Sequence, residues 1–181
     1  MRNHEPTPYA CPMCHLIAGR PTPISPAEAV FHRDDRTAAL VCGKWWRASP
    51  GHVLVVPTTH VENLYDLPDT LAAPLLRTVR RMAVLLTEVD DCDGTSIRQH
   101  NEPAGNQDVW HLHVHVFPRW EGDDLYRRSD ETWLPSREEQ IARAHSLRES
   151  LRTDSPDDRG GPPDGEPPLS WSTTITRPAT E

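Results

Sequence analysis

The sequence lacks the features of a membrane protein and of a protein that binds long nucleic acids. No apolar stretch approaches the roughly 18 residues of a membrane span, and residues 1–8 lack the apolar segment of a signal peptide. Lys and Arg number 19 against 27 Asp and Glu, the net charge is −8, and no basic stripe is present. We therefore expect no membrane and no nucleic-acid polymer as a partner, and a cytoplasmic location.

Cysteine is also scarce, with four in 181 residues. Only Cys11 and Cys14 are spaced as a unit, so no disulfide framework is indicated and a reduced compartment fits. A thioredoxin-like redox site would need a preceding strand and an alternating strand–helix pattern, which this pair lacks. Half of a zinc site is the better interpretation, because zinc binds four Cys or His ligands and the pair needs two more. His15 and His60 are the obvious further donors.

The chain does contain enough apolar residues for one domain. A hydrophobic fraction of 36% over 181 residues allows a core of ordinary size. We expect the folded domain to span 9–152, after a flexible N-terminus at 1–8. Residues 153–181 hold six prolines, three glycines and six acids against two arginines, a composition that cannot bury enough surface to fold. We predict that this tail is disordered.

Hydrophobic periodicity predicts an α+β order of elements, with strands at 30–33, 37–42, 52–56 and 95–99 and helices at 70–89 and 136–152. A short helical turn is expected at 14–19. Because proline is tolerated only in the first turn of a helix, Pro74 predicts that the first long helix starts near residue 72 or 73. The residues of the last helix predicted to face the core are Ile141, Ala144, Leu147 and Leu151.

The stretch 109–119, Val-Trp-His-Leu-His-Val-His-Val-Phe-Pro-Arg, alternates histidine with apolar residues. A period of two is typical of a half-buried strand, in which alternate side chains share a face. His111, His113 and His115 are therefore predicted on one face, about 6.6 Å apart, and the strand is expected to end at Pro118. The residues predicted on the opposite, core-facing side are Trp110, Leu112, Val114 and Val116.

Three imidazoles on one strand face allow three interpretations. They could form an open zinc site. Alternatively, the middle ring could be a nucleophile whose neighbours hold its tautomer and donate to the substrate. Neutral core histidines with satisfied hydrogen bonds are the third interpretation, and the strict alternation disfavours it. The residues by themselves leave the metal and the nucleophile interpretations open.

Residues 107–119 resemble the signature of the histidine triad (HIT) family. The matching features are Gln107-Asp-Val-Trp before the histidines, the three alternating histidines, and Pro118-Arg119 after them. Pro50-Gly-His-Val-Leu-Val-Val-Pro57, followed by His60 and by Leu64-Tyr-Asp-Leu67, resembles the middle segment of the family. The resemblance runs from residue 9 to about residue 120.

The resemblance implies an antiparallel sheet of about five strands with a long helix and a C-terminal helix, usually paired as a homodimer. It also implies that His113 attacks the α-phosphorus of a bound nucleotide, that His115 and Gln107 neutralise charge on the phosphoryl oxygens, and that His52 supports the attacking ring. The implied catalytic residues are His113, His115, His111, His52 and Gln107, and the implied nucleotide-binding residues are Asn101, Gln107, His113 and His115.

Metal-binding relatives join an N-terminal Cys-x-x-Cys pair with a histidine after the middle strand and with the first histidine of the triad. Carried onto this chain, the ligands are Cys11, Cys14, His60 and His111, with Zn²⁺ as a structural cofactor. Such a closed set has no open position, so the metal would tie the N-terminus to the catalytic strand and take no part in the chemistry.

The chain departs from the family pattern near the end of the second strand. Relatives usually hold the ribose there with an acidic residue, whereas the nearest residues here are Gly43 and Lys44, followed by Trp45 and Trp46. Two interpretations of the tryptophans stay open, namely stacking on a base and packing at the rim or at a dimer interface.

The function that the resemblance implies is hydrolysis of a nucleotide at its α-phosphate through a nucleotidyl-histidine, giving a nucleoside monophosphate. Pro118-Arg119 is similar to the fragile-histidine-triad hydrolase branch, which favours dinucleoside polyphosphates as substrates. The alternatives are a nucleoside phosphoramidate hydrolase and a non-catalytic nucleotide- or metal-binding protein. A transferase is disfavoured, because uridylyl-transferase relatives carry glutamine where this chain has Val116.

Overall fold

The computed structural model describes residues 4–128 and 130–153. The helices α1 (Pro12–Ile17), α2 (Asp69–Asp90) and α3 (Arg137–Thr153) accompany the strands β1 (Val30–Arg33), β2 (Thr37–Val41), β3 (Trp45–Trp46), β4 (Val53–Pro57), β5 (Gly94–Gln99), β6 (Val114–Arg119) and β7 (Thr132–Trp133). Five strands form one antiparallel sheet in the order β1-β2-β4-β6-β5. The predicted α+β fold with a five-stranded antiparallel sheet is confirmed.

The sheet separates two apolar clusters, because successive side chains along a strand point to opposite faces. Val53 and Val55 of β4 lie in the larger cluster, together with residues of α2 and α3. Leu54 and Val56 lie in the smaller cluster, together with residues of α1. On β6 the same alternation leaves His115 on the face that points away from α2 and α3.

Helix α2 keeps a proline in its interior. The helix begins at Asp69, so the prediction that Pro74 would delay its start to residue 72 or 73 was wrong. Pro74 has no N–H to donate to the carbonyl of Thr70, four residues earlier. Arg36, between β1 and β2, donates to that carbonyl instead, with an Nη1–O distance of 3.1 Å. A side chain from another element thus supplies the hydrogen bond that the proline removes.

Strand β6 begins later and ends later in the chain than the alternation predicted. It begins at Val114, so His115 is the one triad histidine that lies inside the regular strand. Pro118 does not end the strand but lies within it, opposite Thr95 of β5. The pairing of β6 with β4 stops at Val116, so the missing N–H of Pro118 costs no hydrogen bond to β4.

A capping box starts α3, as its sequence predicted. Ser136 Oγ accepts from the N–H of Glu139 at 3.1 Å, and the Glu139 carboxylate accepts from the N–H of Ser136 at 2.7 Å. Ile141 was predicted in the core but is 39% exposed. Gln140 is buried in its place and donates its amide to the carbonyl of Ile24 at 2.8 Å. The other predicted positions are buried, namely Ala144, Leu147 and Leu151.

A second, two-stranded sheet pairs β3 with β7 and was not predicted. Strands of two residues are too short for a periodic pattern. The ring of Trp45 is buried in the larger apolar cluster, and its Nε1 donates to the carbonyl of Cys42 at 2.7 Å. Trp45 is therefore a core residue.

Within residues 4–128 and 130–153, none of the helices combines the length and the apolarity that crossing a membrane requires. The predicted disordered tail lies outside the described residues, apart from Thr153 at the end of α3. The division into a flexible N-terminus at 1–8, a domain at 9–152 and a tail at 153–181 stays a prediction.

Candidate functional site

A cavity of about 530 Å³ lies on the face of the sheet that points away from α2 and α3. Residues of β2, β4, β5 and β6 line it, together with α1 and the loop before the triad. The ionisable and amide side chains in its wall are Cys42, Lys44, Arg98, His100, Asn106, Asp108, His113 and His115. Two of the three triad histidines therefore share one cavity.

His113 is held in one tautomer. Its Nδ1 lies 2.7 Å from the backbone carbonyl oxygen of His111. Because a carbonyl oxygen can only accept, Nδ1 carries the proton and Nε2 keeps its lone pair. Burial lowers the pKa of His113 below its usual value, so the ring is neutral at pH 7. Nε2 is thus the nitrogen available to a ligand in the cavity.

His115 and His52 form a ring pair next to the nucleophile candidate. Nδ1 of His115 lies 3.2 Å from Nε2 of His52, and the ring centroids of His113 and His115 are 5.1 Å apart. Burial lowers the pKa of His52 to about 3 and that of His115 well below its usual value, so both rings are neutral at pH 7. His52 was predicted to support His113, and its contact is with His115. Support for the attacking ring would therefore pass through the third histidine.

Gln107 was predicted to contact the substrate, and the structure gives its amide other partners. Nε2 donates to the carbonyls of Glu62 at 2.6 Å and Val109 at 3.1 Å, while Oε1 accepts from the N–H of Glu102 at 3.0 Å. The side chain is buried and is not among the residues that line the cavity. Its amide holds the loop before the triad in shape.

Asn101 is engaged in the same way. Its Oδ1 accepts from the N–H of Leu64 at 2.8 Å, and its amide exchanges two hydrogen bonds with the amide of Gln99 at 2.8 and 3.0 Å. Asn101 is likewise absent from the cavity wall. Both amides that were expected on the substrate therefore hold backbone and neighbouring side chains.

Arg98 and Asp108 line the cavity and were not singled out from the sequence. Arg98 lies directly opposite His115 in the register of β5 and β6, so the two side chains share a face. The strand at 95–99 was predicted from the sequence, but its register against the histidine strand was not. The register was needed to identify which of its residues faces the cavity.

Trp46 and Lys44 line the cavity where the sequence departs from the family pattern. Trp46 packs on Phe117 at 5.1 Å between ring centroids. Because Trp46 lines the cavity and Trp45 does not, Trp46 is the tryptophan of the pair that can contact a ligand. The neighbouring Gly43 has no room for a side chain, because a Cβ there would collide with Ser25 Oγ. An acidic residue does not fit at position 43 without a shift of Ser25.

A group of four potential metal ligands lies beside the cavity. The donor atoms of Cys11, Cys14, His60 and His111 all lie within 4.8 Å of one another. Nδ1 of His111 is 3.4 Å from Cys11 Sγ and 3.6 Å from Cys14 Sγ, and Nδ1 of His60 is 3.4 Å from Cys14 Sγ. His15, considered from spacing, is not in this group. Two thiols and two imidazoles are donors that suit zinc.

The second nitrogen of each histidine in this group is bound elsewhere. Nε2 of His111 lies 3.0 Å from the carbonyl oxygen of Pro57, and Nε2 of His60 lies 2.7 Å from a carboxylate oxygen of Glu5. Both acceptors fix the proton on Nε2 and turn the Nδ1 lone pairs towards the cysteines. Burial lowers the pKa of His111 to about 4, so this ring is neutral, as a metal ligand must be. The residues present fit a tetrahedral metal ion.

A smaller group of potential ligands includes two residues that line the cavity, Cys42 and His115. The donor atoms of Cys42, His52 and His115 lie within 4.8 Å of one another. Burial raises the pKa of Cys42 to about 11, so the thiol is neutral at pH 7. Because His115 belongs to this group and also lines the cavity, a metal ion here would compete with any other ligand of that ring.

The N-terminal segment lies across the loop before the triad. The N–H of His4 donates to Glu62 at 2.8 Å, its ring stacks on Trp110 at 5.4 Å, and the hydroxyl of Tyr9 accepts from the N–H of Trp110 at 3.1 Å. Trp110 was predicted in the core, and that prediction was wrong. The regular strand begins only at Val114, so the alternation does not extend back to residue 110.

Arg119, which follows the triad, is used by the protein itself. Its guanidinium pairs with Asp123 at 2.6 Å, donates to Ser96 Oγ at 2.7 Å and lies 4.9 Å from the ring centroid of Tyr126. These contacts stabilise the conformation of the loop after β6. Arg119 does not belong to the cavity wall.

A model of the HIT domain family matches residues 25–122 of this chain. Protein hit of Bacillus subtilis is 30% identical over 110 residues, which are 61% of this chain and 71% of that protein. The asymmetrical bis(5'-nucleosyl)-tetraphosphatase of Schizosaccharomyces pombe is 34% identical over 94 residues, which are 52% of this chain and 50% of that protein.

A solved structure with a bound metal has a similar fold. A Zn-bound histidine triad family protein from Mycobacterium smegmatis matches with a TM-score of 0.64 at 29% identity, covering 80% of this chain and 94% of that chain. The matches do not confirm the fragile-histidine-triad branch that Pro118-Arg119 suggested.

Proposed function

The chain belongs to the HIT domain family, and from this premise we propose that it hydrolyses nucleotides at the α-phosphate through a covalent nucleotidyl-histidine on His113. The observation that carries the proposal is the hydrogen bond from His113 Nδ1 to the carbonyl of His111. It leaves a neutral ring with one free lone pair at the wall of a cavity large enough for a nucleotide.

In the first step, Nε2 of His113 attacks the α-phosphorus and the bond from phosphorus to the leaving oxygen breaks. The electron pair of that bond leaves with the oxygen, and a phosphate leaving group needs no proton at pH 7. The ring becomes cationic on bonding to phosphorus, and the carbonyl of His111 continues to accept from Nδ1–H. In the second step, water attacks phosphorus opposite the N–P bond, the electron pair of that bond returns to Nε2 of His113, the water gives up a proton to the solvent, and a nucleoside monophosphate is released.

His115 is the residue best placed to stabilise the charge on the phosphoryl oxygens. Its Nδ1 faces His52, so its other nitrogen is the one left for the substrate. A donor aimed at developing charge in a shielded site contributes about 10²–10³-fold to kcat. Gln107, given that role from the resemblance, is better explained as the support of the loop that carries the triad.

Dinucleoside polyphosphates are the substrate class that we propose. The tetraphosphatase of Schizosaccharomyces pombe supports this class through its similarity over half of its length. We also propose that Zn²⁺ binds Cys11, Cys14, His60 and His111, with a structural role. Their donor types, their mutual distances and the Zn-bound Mycobacterium smegmatis relative support this site. A homodimer stays a prediction from the resemblance, and a cytoplasmic location stays a prediction from the composition of the sequence.

The test compares AMP release from diadenosine tetraphosphate and from adenosine phosphoramidate by the parent and by His113→Ala. We expect the parent to prefer the tetraphosphate and the variant to lose turnover by about 10⁴-fold or more, while it still binds AMP. Undiminished turnover by His113→Ala would overturn the mechanism. A preference for the phosphoramidate would instead favour the phosphoramidate hydrolase, and nucleotide binding without turnover would favour a non-catalytic protein.

A further inference from the structure

The guanidinium group of Arg98 lies in the wall of the cavity. It forms no hydrogen bond or ion pair with any of the residues in the described ranges 4–128 and 130–153, and its Nη1 is buried. Its contacts are aromatic: the guanidinium carbon lies 4.9 Å from the ring centroid of Trp46, 5.5 Å from that of Tyr126 and 6.0 Å from that of Phe117. A shielded cation of this kind lacks the anion that would offset its loss of hydration.

Two other half-buried arginines of the fold have such a partner. Arg143 forms two hydrogen bonds with the carboxylate of Asp90, both at 2.6 Å, and Arg119 forms two with Asp123 at 2.6 and 2.7 Å. Planar, paired donors of this type match a carboxylate or a phosphate. The guanidinium of Arg98 has the same paired N–H donors, and a ligand bound in the cavity can accept from them.

The order of strands places Arg98 at one end of the cavity. Across the sheet the order is β2, β4, β6, β5. The apolar end of the cavity is formed by residues such as Leu16 of α1 and Leu40 of β2, and this end suits a nucleoside. His113 lies just before β6 and His115 lies on it, so both are in the middle of this order. Arg98 lies on the neighbouring strand, β5. With the nucleoside at the apolar end and the α-phosphorus at His113, the next group of a nucleotide would extend towards Arg98.

We propose that Arg98, seated on Trp46, forms an anion subsite for the phosphate group that departs when His113 attacks. The inference rests on the proposed function and makes it more specific: the leaving group is a phosphate chain and not an amine. As the bridging P–O bond breaks, its electron pair moves onto the departing phosphate. Arg98 neutralises the charge that develops there. No proton and no co-reactant is needed for this step.

The catalytic test uses three variants. Arg98→Met keeps an apolar stem against Trp46, Arg98→Lys keeps the charge, and Arg127→Ala removes an arginine whose side chain is 86% exposed, as a control. For Arg98→Met we expect kcat/KM for diadenosine tetraphosphate to fall by about 10²-fold or more, and kcat/KM for adenosine phosphoramidate to fall less than about threefold. Arg98→Lys should recover part of the loss, and Arg127→Ala should match the parent. Equal losses on both substrates would overturn the subsite.

A binding test remains valid if the protein turns over neither substrate. In the His113→Ala background, calorimetry with AMP and with ADP measures the contribution of the second phosphate. We expect ADP to bind about tenfold more tightly than AMP, and Arg98→Met to remove that difference without weakening AMP. Equal affinity for ADP and AMP before the Arg98 change would overturn the subsite, whatever the outcome for the covalent mechanism.

Discussion

Nδ1 of His113 lies 2.7 Å from the backbone carbonyl oxygen of His111, whose own ring lies in the group of potential metal ligands. His111 therefore connects two sites. Its side chain faces Cys11 and Cys14, and its carbonyl sets the tautomer of the His113 ring, which faces the cavity. A metal ion that fixes the ring of His111 would also fix the orientation of His113. Structural zinc and catalytic geometry are expected to be lost together.

The first prediction concerns zinc. We expect the parent to purify with one zinc ion per chain and Cys14→Ser to lose it. A ligand present at 100 to 1,000 times its Kd contributes about 2.7–4.1 kcal/mol, so Tm should fall by roughly 6–16 °C. Cys92→Ser is the control, since Cys92 is in neither group of potential ligands. Metal analysis and thermal unfolding test this, and full zinc content in Cys14→Ser would contradict the assigned ligands.

The second prediction concerns Gln107. Gln107→Ala leaves the carbonyls of Glu62 and Val109 and the N–H of Glu102 without their side-chain partner. We expect the free energy of unfolding to fall by about 1–3 kcal/mol, measured by urea denaturation. An unchanged unfolding midpoint together with lost activity would contradict this structural role and would indicate that Gln107 contacts the substrate.

The third prediction concerns acid stability. The Arg119 guanidinium beside Asp123 lowers the pKa of that carboxyl to about 2. A lowered pKa in the folded state means that the ion pair stabilises the fold above the unfolded value of about 3.9. This contribution is lost as the pH falls towards 2. Asp123→Asn should cost about 1 kcal/mol at pH 7 and show a smaller loss of stability between pH 4 and pH 2.

Denaturation midpoints at pH 7, 4, 3 and 2 measure this effect. The matched control is Asp35→Asn, because the Asp35 side chain is 84% exposed and lies 3.7 Å from Arg36. Its stability should follow that of the parent at every pH. A difference between Asp123→Asn and the parent that stays constant over the whole pH range would contradict the assigned pKa.

Local patterns predicted the parts of the fold that local physics decides. The continuous apolar run of β4 and the alternation around β6 identified buried strands, and the reciprocal bonds of Ser136 and Glu139 started α3 where the sequence indicated. Pro74 shows where a local rule fails. Its place inside α2 depends on Arg36, which is distant in sequence and donates to the carbonyl that the proline leaves free.

The sequence predicted candidate residues for the chemistry of the site, but it did not predict which groups each of them contacts. The resemblance selected Cys11, Cys14, His60 and His111, whose donor atoms lie together. Gln107 was assigned to the substrate because the sequence cannot reveal that Glu62, 45 positions earlier, presents a carbonyl to it. Arg98 was missed because only the register of β5 against β6 places it opposite a triad histidine.

The most direct measurement is mass spectrometry of the protein quenched in alkali during turnover of diadenosine tetraphosphate, because phosphorus–nitrogen bonds to histidine survive in base. We predict one adenylyl group on the peptide that contains His113 in the parent, and none in His113→Ala. AMP release by the parent with an unmodified His113 throughout turnover, or an adenylyl group on another residue, would contradict the covalent mechanism.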